Sequence, residues 1–168
     1  LKRAVAGWQE KGLTPKIGIE LEAFAFQRDE DGKLVPYDTP GGHVYGTGPF
    51  ADPLGFNDAI WEKADELGFY LELITSEYDS PQFAYTLKFD DAVKAVDTIV
   101  LFRLMAREIA LEHGILLTFS PKPIPHLGGS GMHINFSFTD QNGKNAFDTG
   151  AKGGPANMSD LATGCVAG

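Results

Sequence analysis

Hydrophobic and polar positions alternate along the chain in segments that predict a small set of helices and strands. The longest strict alternation runs over 16–27, where one face carries only aliphatic and alanine side chains, and it predicts a strand. Helical spacing of apolar residues predicts helices over 1–12, 58–67 and 91–113. Short apolar runs bounded by turn residues predict four further strands, over 69–77, 82–89, 115–119 and 131–138.

The order of these elements predicts an α+β fold. The strands come in pairs joined by turns, with helices between the pairs, which is typical of a mainly antiparallel sheet with helices packed on it. Asn57 and Asp90 are the expected N-caps of the two longer helices, and the apolar stripe of the longest helix is expected to include Val100 and Leu104. Residues 29–56 are rich in Gly, Pro and Asp and predict a long excursion without regular structure of its own.

Length and charge narrow the possible functions. With 168 residues, the chain has room for one domain or a large piece of one. Lys and Arg number 14 and Asp and Glu number 23, which gives a formal net charge of −9. This balance argues against binding to a nucleic-acid backbone, and it is compatible with a cluster of carboxylates that holds a cation.

Localisation and redox signals point to a reducing compartment. The most apolar run, 98–111, is interrupted by charged residues, so it predicts no membrane span. The single cysteine, Cys165, excludes an internal disulfide and a cysteine-based zinc site, so we expect a cytoplasmic protein without a membrane partner. The chain begins inside one helical pattern and stops inside another, and we expect it to be part of a longer protein.

Two glutamates on the first strand are the strongest chemical signal in the sequence. Glu20 and Glu22 are two residues apart, so on a strand their side chains point the same way, with backbones about 6.5–7 Å apart. Because the opposite face is wholly apolar, we expect the strand in the interior of the sheet, where enclosed like charges repel unless protons or cations neutralise them. A site for Mg²⁺ or Mn²⁺ is one interpretation, and two solvated acids on an exposed strand face are the other.

A polar strand face and two loops supply further candidates. His133, Asn135 and Ser137 alternate with apolar residues on the last predicted strand, which suits a ligand-facing surface as well as an ordinary solvent face. The glycine run before that strand, 128–131, lets backbone approach a ligand closely, although such runs are also typical of plain loops. Glu77 stands at the end of a predicted strand, where a single acid is usually a surface residue.

Five motifs occur in one order and spacing along nearly the whole chain. They are Gly18-Ile-Glu-Leu-Glu-Ala-Phe24, Ser76-Glu-Tyr78 with Gln82-Phe83, Thr118-Phe-Ser-Pro-Lys-Pro123, Gly129-Ser-Gly-Met-His133 and the turn Asn142-Gly with Asn145-Ala-Phe147. In these motifs the sequence resembles the glutamine synthetase family. The Phe-x-Pro-Lys-Pro segment followed by Gly-Ser-Gly-Met-His is a specific combination.

The resemblance implies a fold and a chemistry. In that family such segments form the first half of the catalytic domain, a curved antiparallel sheet flanked by helices, so residues 1–168 are expected to be the N-terminal part of that domain. The family's site binds Mg²⁺ or Mn²⁺, ATP and glutamate. The γ-carboxylate is phosphorylated, and ammonia or another amine then displaces phosphate. Members form ring-shaped oligomers, which implies small-molecule substrates and a homo-oligomer for the full-length protein.

The same resemblance implies roles for individual residues. Glu20 and His133 would hold the metal that bridges the ATP phosphates. Glu22 and Glu77 would hold the metal nearer the glutamate. Gly129 would present its backbone to the amino-acid substrate.

Three positions depart from the family's pattern. Ala84 stands where members usually carry a further glutamate, so the metal nearer the glutamate loses a carboxylate ligand. Asn135 stands where many members carry a second histidine, and it brings no positive charge to a phosphate. Asn135 and Ser137 are still the residues that the resemblance implies beside the nucleotide. Gly128 replaces an asparagine, which removes a substrate contact.

Two functions from different classes follow from these residues. The first is an ATP-dependent carboxylate–amine ligase of glutamine synthetase type, which works as part of a longer chain through a γ-glutamyl phosphate. The second is a catalytically impaired relative that binds nucleotide or amino acid as a sensor or an assembly subunit. The retained acids and His133 favour the first, and the three departures motivate the second. A purely structural domain would leave the paired glutamates unexplained.

Overall fold

The computed structural model describes residues 1–40, 44–150 and 157–167. These residues form the strands β1 (Thr14–Arg28), β2 (Leu34–Pro36), β3 (Leu71–Ser76), β4 (Gln82–Asp91), β5 (Leu116–Thr118) and β6 (Met132–Thr139). The helices are α1 (Lys2–Gln9), α2 (Phe56–Leu67), α3 (Ala92–Glu112) and α4 (Asp160–Ala167), with a 3₁₀ helix at Gly48–Phe50. Among the described residues, no helix combines the length and the apolar composition that a membrane span requires.

The sheet is organised around β1. Its strand order is β2-β1-β4-β3, and β5 and β6 also pair with β1. The pairs of β1 with β2 and with β5 are antiparallel, as is the pair of β3 with β4, in which Ser76 lies opposite Phe83. The predicted α+β class with an antiparallel sheet is confirmed, and so is the interior position of β1.

The chain forms two compact units. One contains Leu1–Gly18, Phe89–Val96 and Ile134–Gly168, and the other contains Ile19–Lys88 and Asp97–His133. We call them the first and the second unit. Within the first unit, aromatic rings pack in a row, with the centroids of Trp8 and Phe138 4.6 Å apart and those of Phe138 and Phe147 5.5 Å apart.

The second unit has an aromatic core centred on β4. Phe83, Ala84 and Tyr85 are consecutive and all buried, and because successive side chains on a strand point to opposite faces, β4 is covered on both sides. The ring of Phe83 packs edge-on against Phe56 at the start of α2, with centroids 5.4 Å apart. The ring of Tyr85 packs against Phe102 of α3 at 5.6 Å. These contacts hold α2 and α3 on the sheet.

A buried carboxylate fastens the start of α2. The Oδ1 of Asp52 accepts hydrogen bonds from the Tyr37 hydroxyl at 2.9 Å and the Gly55 N–H at 3.1 Å, and Oδ2 accepts from the Asn57 N–H at 2.7 Å. The Tyr85 hydroxyl in turn donates to Oδ1 of Asn57 at 2.8 Å. Burial raises the pKa of both tyrosines, so they remain neutral donors.

The expected cap of α2 was wrong. The helix begins two residues earlier than predicted, at Phe56, after Gly55 in the left-handed conformation (φ 69°). Asn57 therefore lies inside the helix and is buried, and the acceptor for its N–H is Asp52, five residues earlier. The Asp52 side chain, in the preceding loop, accepts the hydrogen bond at the start of the helix that an N-cap side chain was expected to accept.

Three further expectations are corrected, two at α3 and one in the excursion. β4 extends to Asp91, so Asp90 precedes the helix as a strand residue and accepts a hydrogen bond from the adjacent Asp91 N–H at 2.7 Å. Val100 and Leu104, expected in the apolar stripe, are exposed, and the buried face of α3 instead includes Ala95, Ile99, Phe102, Met105, Ala106 and Ala110. The excursion 29–56 contains β2 and the 3₁₀ helix, and its residues 41–43 lie outside the described part.

The Asp52 network generates a prediction about stability. In Asp52→Ala, three donors lose their acceptor in the core, so we expect the free energy of unfolding to fall by about 1.5–3 kcal/mol. Urea unfolding measures this change. The matched control is Asp58→Ala, which removes an exposed acid from the first turn of α2 and should cost no more than about 0.5 kcal/mol. Equal effects of the two substitutions would contradict a special role for Asp52.

Candidate functional site

Three predicted metal ligands meet in the second unit. Glu20 and Glu22 leave β1 on the same side, and His133 comes from the start of β6. One ligand atom from each of the three side chains lies within 4.8 Å of the others. We call these three residues the carboxylate–imidazole cluster. Glu20 and Glu22 are half-buried and His133 is exposed, so the cluster is open to solvent on one side.

Glu22 is the most constrained member of the cluster. Its Oε1 lies 3.0 Å from Nε2 of His133, and its Oε2 accepts hydrogen bonds from Nε2 of Gln82 and from the Gly131 N–H, both at 2.8 Å. The Glu22 N–H also donates to the Gly131 carbonyl at 3.0 Å. The carboxylate is therefore held in one orientation by three elements distant in sequence.

Gln82 links Glu22 to the glycine loop. The residue is buried at the start of β4, and its Nε2 donates both to Glu22 and to the Gly129 carbonyl, the latter at 2.9 Å. The side chain thereby fixes the position of the loop relative to β1. In the sequence Gln82 stands out only as part of a motif, and the available signal is a polar residue directly before the apolar run 83–85.

Glu77, the fourth predicted metal ligand, lies within electrostatic range of the cluster. It follows β3 directly, and its N–H donates to the Gln82 carbonyl at 2.7 Å. Burial and the negative charges of Glu22 and Glu20 raise the pKa of the Glu77 carboxyl, while the Tyr78 N–H and the charge of His133 lower it. The repulsion among these carboxylates is the kind that a bound cation would relieve.

Glycines 129 and 131 are required by close packing in the loop. A Cβ on Gly129 would lie 2.8 Å from the carbonyl oxygen of Pro121, a backbone atom. A Cβ on Gly131 would lie 2.8 Å from both Oε1 of Glu22 and Nε2 of His133. The glycine run is therefore more than a plain loop, because it lets backbone pass directly against the cluster.

Gly128 and Asp79 form a pair that sequence analysis missed. The Gly128 N–H donates to the Asp79 carboxylate, and a Cβ on Gly128 would lie only 2.7 Å from Oδ2 of Asp79. Asp79 lies in the turn between β3 and β4, where its carbonyl accepts the Gln82 N–H at 3.0 Å. Its side chain also occupies the space in which a side chain at position 128 would begin.

The other two departures from the family's pattern have different surroundings. Ala84 is buried on β4, two residues after Gln82 and hence on the same strand face. Its methyl group fills the position without offering an oxygen. Asn135 and Ser137 follow His133 at every second residue of β6, with Asn135 exposed and Ser137 half-buried. Their nucleotide role, like that of Gly129 toward the amino acid, stays a prediction.

Comparison with known proteins identifies the family of this chain. The family model described as glutamine synthetase, catalytic domain, matches residues 1–168. The chain belongs to the glutamine synthetase family. Among relatives, the glutamine synthetase of Halobacterium salinarum is 33% identical over 147 residues, which is 88% of this chain and 32% of that protein. The glutamine synthetase of Clostridium saccharobutylicum is 36% identical over 149 residues, 88% of this chain and 33% of that protein.

Solved structures of the glutamine synthetase type share the fold. A structure described as apo GmaS without ligand has a TM-score of 0.82 and 27% identity over 96% of this chain and 38% of that one. A GmaS–ADP complex has the same TM-score, 26% identity and coverage of 96% and 37%. The chain spans about a third of the length of the curated relatives that it matches.

The Asp79–Gly128 pair generates a second prediction. Gly128→Ala forces the Asp79 carboxylate away and breaks its hydrogen bond, so we expect a loss of about 1–2 kcal/mol in the free energy of unfolding. Asp79→Ala removes the same bond, so the double variant should cost much less than the sum of the singles. Gly164→Ala, where a Cβ meets nothing within 4 Å, is the control and should not destabilise. Strict additivity of the two substitutions would rule out the pair.

Proposed function

We propose that this chain is the metal-binding part of an ATP-dependent carboxylate–amine ligase, as part of a longer protein. The convergence of Glu20, Glu22 and His133 within 4.8 Å, in a chain of the glutamine synthetase family, is the observation that carries the proposal. The activity is formation of a C–N bond between a carboxylic acid, glutamate or a related acid, and ammonia or an amine, at the expense of ATP.

The donor set fits a hard divalent cation. Carboxylate oxygens are the ligands that Mg²⁺ and Mn²⁺ prefer, and Mg²⁺ sites often combine one or two carboxylates with the phosphates of a substrate. Glu20 and His133 would hold one ion and Glu22 and Glu77 a second, and Glu22 is close enough to Glu20 and His133 to contribute to the first as well. A bound divalent cation neutralises negative charge on the phosphates of ATP during phosphoryl transfer.

The remaining residues bind and orient the substrates in this proposal. Gly129, held by Gln82 through its carbonyl, presents backbone to the amino acid. Ser137 and Asn135 lie toward the nucleotide on the strand that carries His133. The acid is activated as a γ-glutamyl phosphate, and the amine nitrogen replaces the phosphate. The full-length protein is expected to be a homo-oligomer, as in the family.

Metal binding is the first test. Calorimetric titration of Mn²⁺ into the chain should show a site whose affinity falls at least about tenfold in Glu22→Gln and in His133→Ala, because each removes a ligand. Glu62→Gln, which neutralises an exposed acid on α2, serves as the matched control and should leave the affinity unchanged. Thermal unfolding in chelator checks that each variant is folded. Unaltered Mn²⁺ affinity in both site variants would exclude the cluster as the metal site.

Turnover by the full-length protein separates the ligase from the impaired relative. With ATP, Mg²⁺, a panel of acids and a panel of amines, we expect phosphate release that requires both an acid and an amine. The impaired relative is motivated by Ala84, and it predicts instead that phosphate release is absent and that Ala84→Glu creates tighter Mn²⁺ binding. No phosphate release with any pair, in a protein that binds nucleotide, would favour this second function.

A further inference from the structure

A cavity of about 340 Å³ opens beside Glu77 in the second unit. One wall comes from the segment between β2 and α2, with Val44, Phe50 and Ala51, and the other from the turn and strand start between β3 and β4. We call it the Glu77 cavity. Glu77 and Gln82 both line it, and Gln82 donates to the Glu22 carboxylate, so the cavity adjoins the carboxylate–imidazole cluster.

The size of the cavity exceeds what ammonia needs. Ammonia is close in size to water, and a water molecule takes up about 30 Å³ in the liquid, so the Glu77 cavity is roughly ten times larger. Its volume falls instead at the lower end of the range of small-molecule sites, about 300–1,000 Å³. A substrate that carries several carbon atoms would fill it.

The lining selects the chemistry of that substrate. Val44, Phe50, Ala51, Pro81 and Phe83 contribute apolar surface. Glu77 is the one charged residue among the described residues that line the cavity, and Thr39, whose hydroxyl lies 2.8 Å from the Ser80 hydroxyl, adds a polar pair that is already hydrogen-bonded. The Glu77 carboxylate, which the proposed function also gives to an ion, lies beside an apolar wall and suits a molecule with one amino group and one apolar end.

We propose that the Glu77 cavity takes the apolar substituent of a primary monoamine, whose amino group lies at Glu77, so that the amine substrate is an alkylamine in preference to ammonia or a diamine. This inference rests on the proposed ligase function.

In the chemical step, the nitrogen lone pair forms the C–N bond and the bond from the acyl carbon to the phosphate oxygen breaks. Phosphate leaves with the electron pair of the broken bond. The two protons that the ammonium loses go to solvent.

The test compares amines on the full-length protein with ATP, Mg²⁺ and glutamate. From methylamine to n-butylamine, kcat/KM should rise about fourfold with each methylene, the factor that about 0.8 kcal/mol per buried CH₂ gives. 1,4-Diaminobutane should be poorer than n-butylamine, because the apolar wall offers no partner for its second charge. A preference for ammonia, or for the diamine, overturns the proposal.

A matched pair of variants places the effect in the cavity. Val44→Trp fills the space and should lower the ratio of kcat/KM for n-butylamine to that for ammonia at least about tenfold. Val100→Trp makes the same change at an exposed position on α3 and should leave that ratio unchanged. If both variants leave the ratio unchanged, the substituent does not enter this cavity.

Direct binding distinguishes failure of this inference from failure of the ligase function. Calorimetry with n-butylamine in the presence of Mg²⁺ needs no turnover. Binding that Val44→Trp abolishes supports the cavity even if no phosphate is released with any amine. No binding of n-butylamine, together with turnover of ammonia, overturns the alkylamine proposal and leaves the ligase function intact. No binding and no turnover overturns both.

Discussion

The hydrogen bonds to the Glu22 carboxylate determine the arrangement of the candidate site. Gln82, Gly131 and His133 all meet that one group, and they belong to the start of β4, the glycine loop and β6. Without the Glu22 side chain these donors would have no common acceptor, and only backbone hydrogen bonds would tie the loop and β6 to β1. A half-buried carboxylate with several donors is both a structural tie and a ligand already in place, since its orientation costs no further entropy when a cation binds.

The departures from the family's pattern are of two physical kinds. At position 128 the loss of a side chain is matched by Asp79, whose carboxylate fills the space and accepts the backbone N–H. At position 84 a buried methyl group replaces a carboxylate on the strand face of Gln82 without adding an oxygen. The first change removes a neutral side chain and alters no charge, whereas the second removes a carboxylate from the site.

Sequence patterns predicted what depends on neighbours along the chain. The alternation over 16–27 located β1, its interior position and the shared direction of Glu20 and Glu22, because strand geometry has a strict period of two. The position of Asp52 below α2, the exposure of Val100 on α3 and the contact of Asp79 with Gly128 were not predicted. Each depends on which surfaces meet in three dimensions, and no local period encodes that information.

The position of β1 at the centre of the sheet has a consequence for how the chain folds. β1 pairs with β5 so that Phe24 lies opposite Thr118, and Glu22 meets a loop 109 residues further on. Such distant pairings require large loops to close before any contact stabilises them, which is typical of slow formation. During synthesis Glu22 is made 111 residues before His133, so the cluster can assemble only after most strands of the sheet have been made.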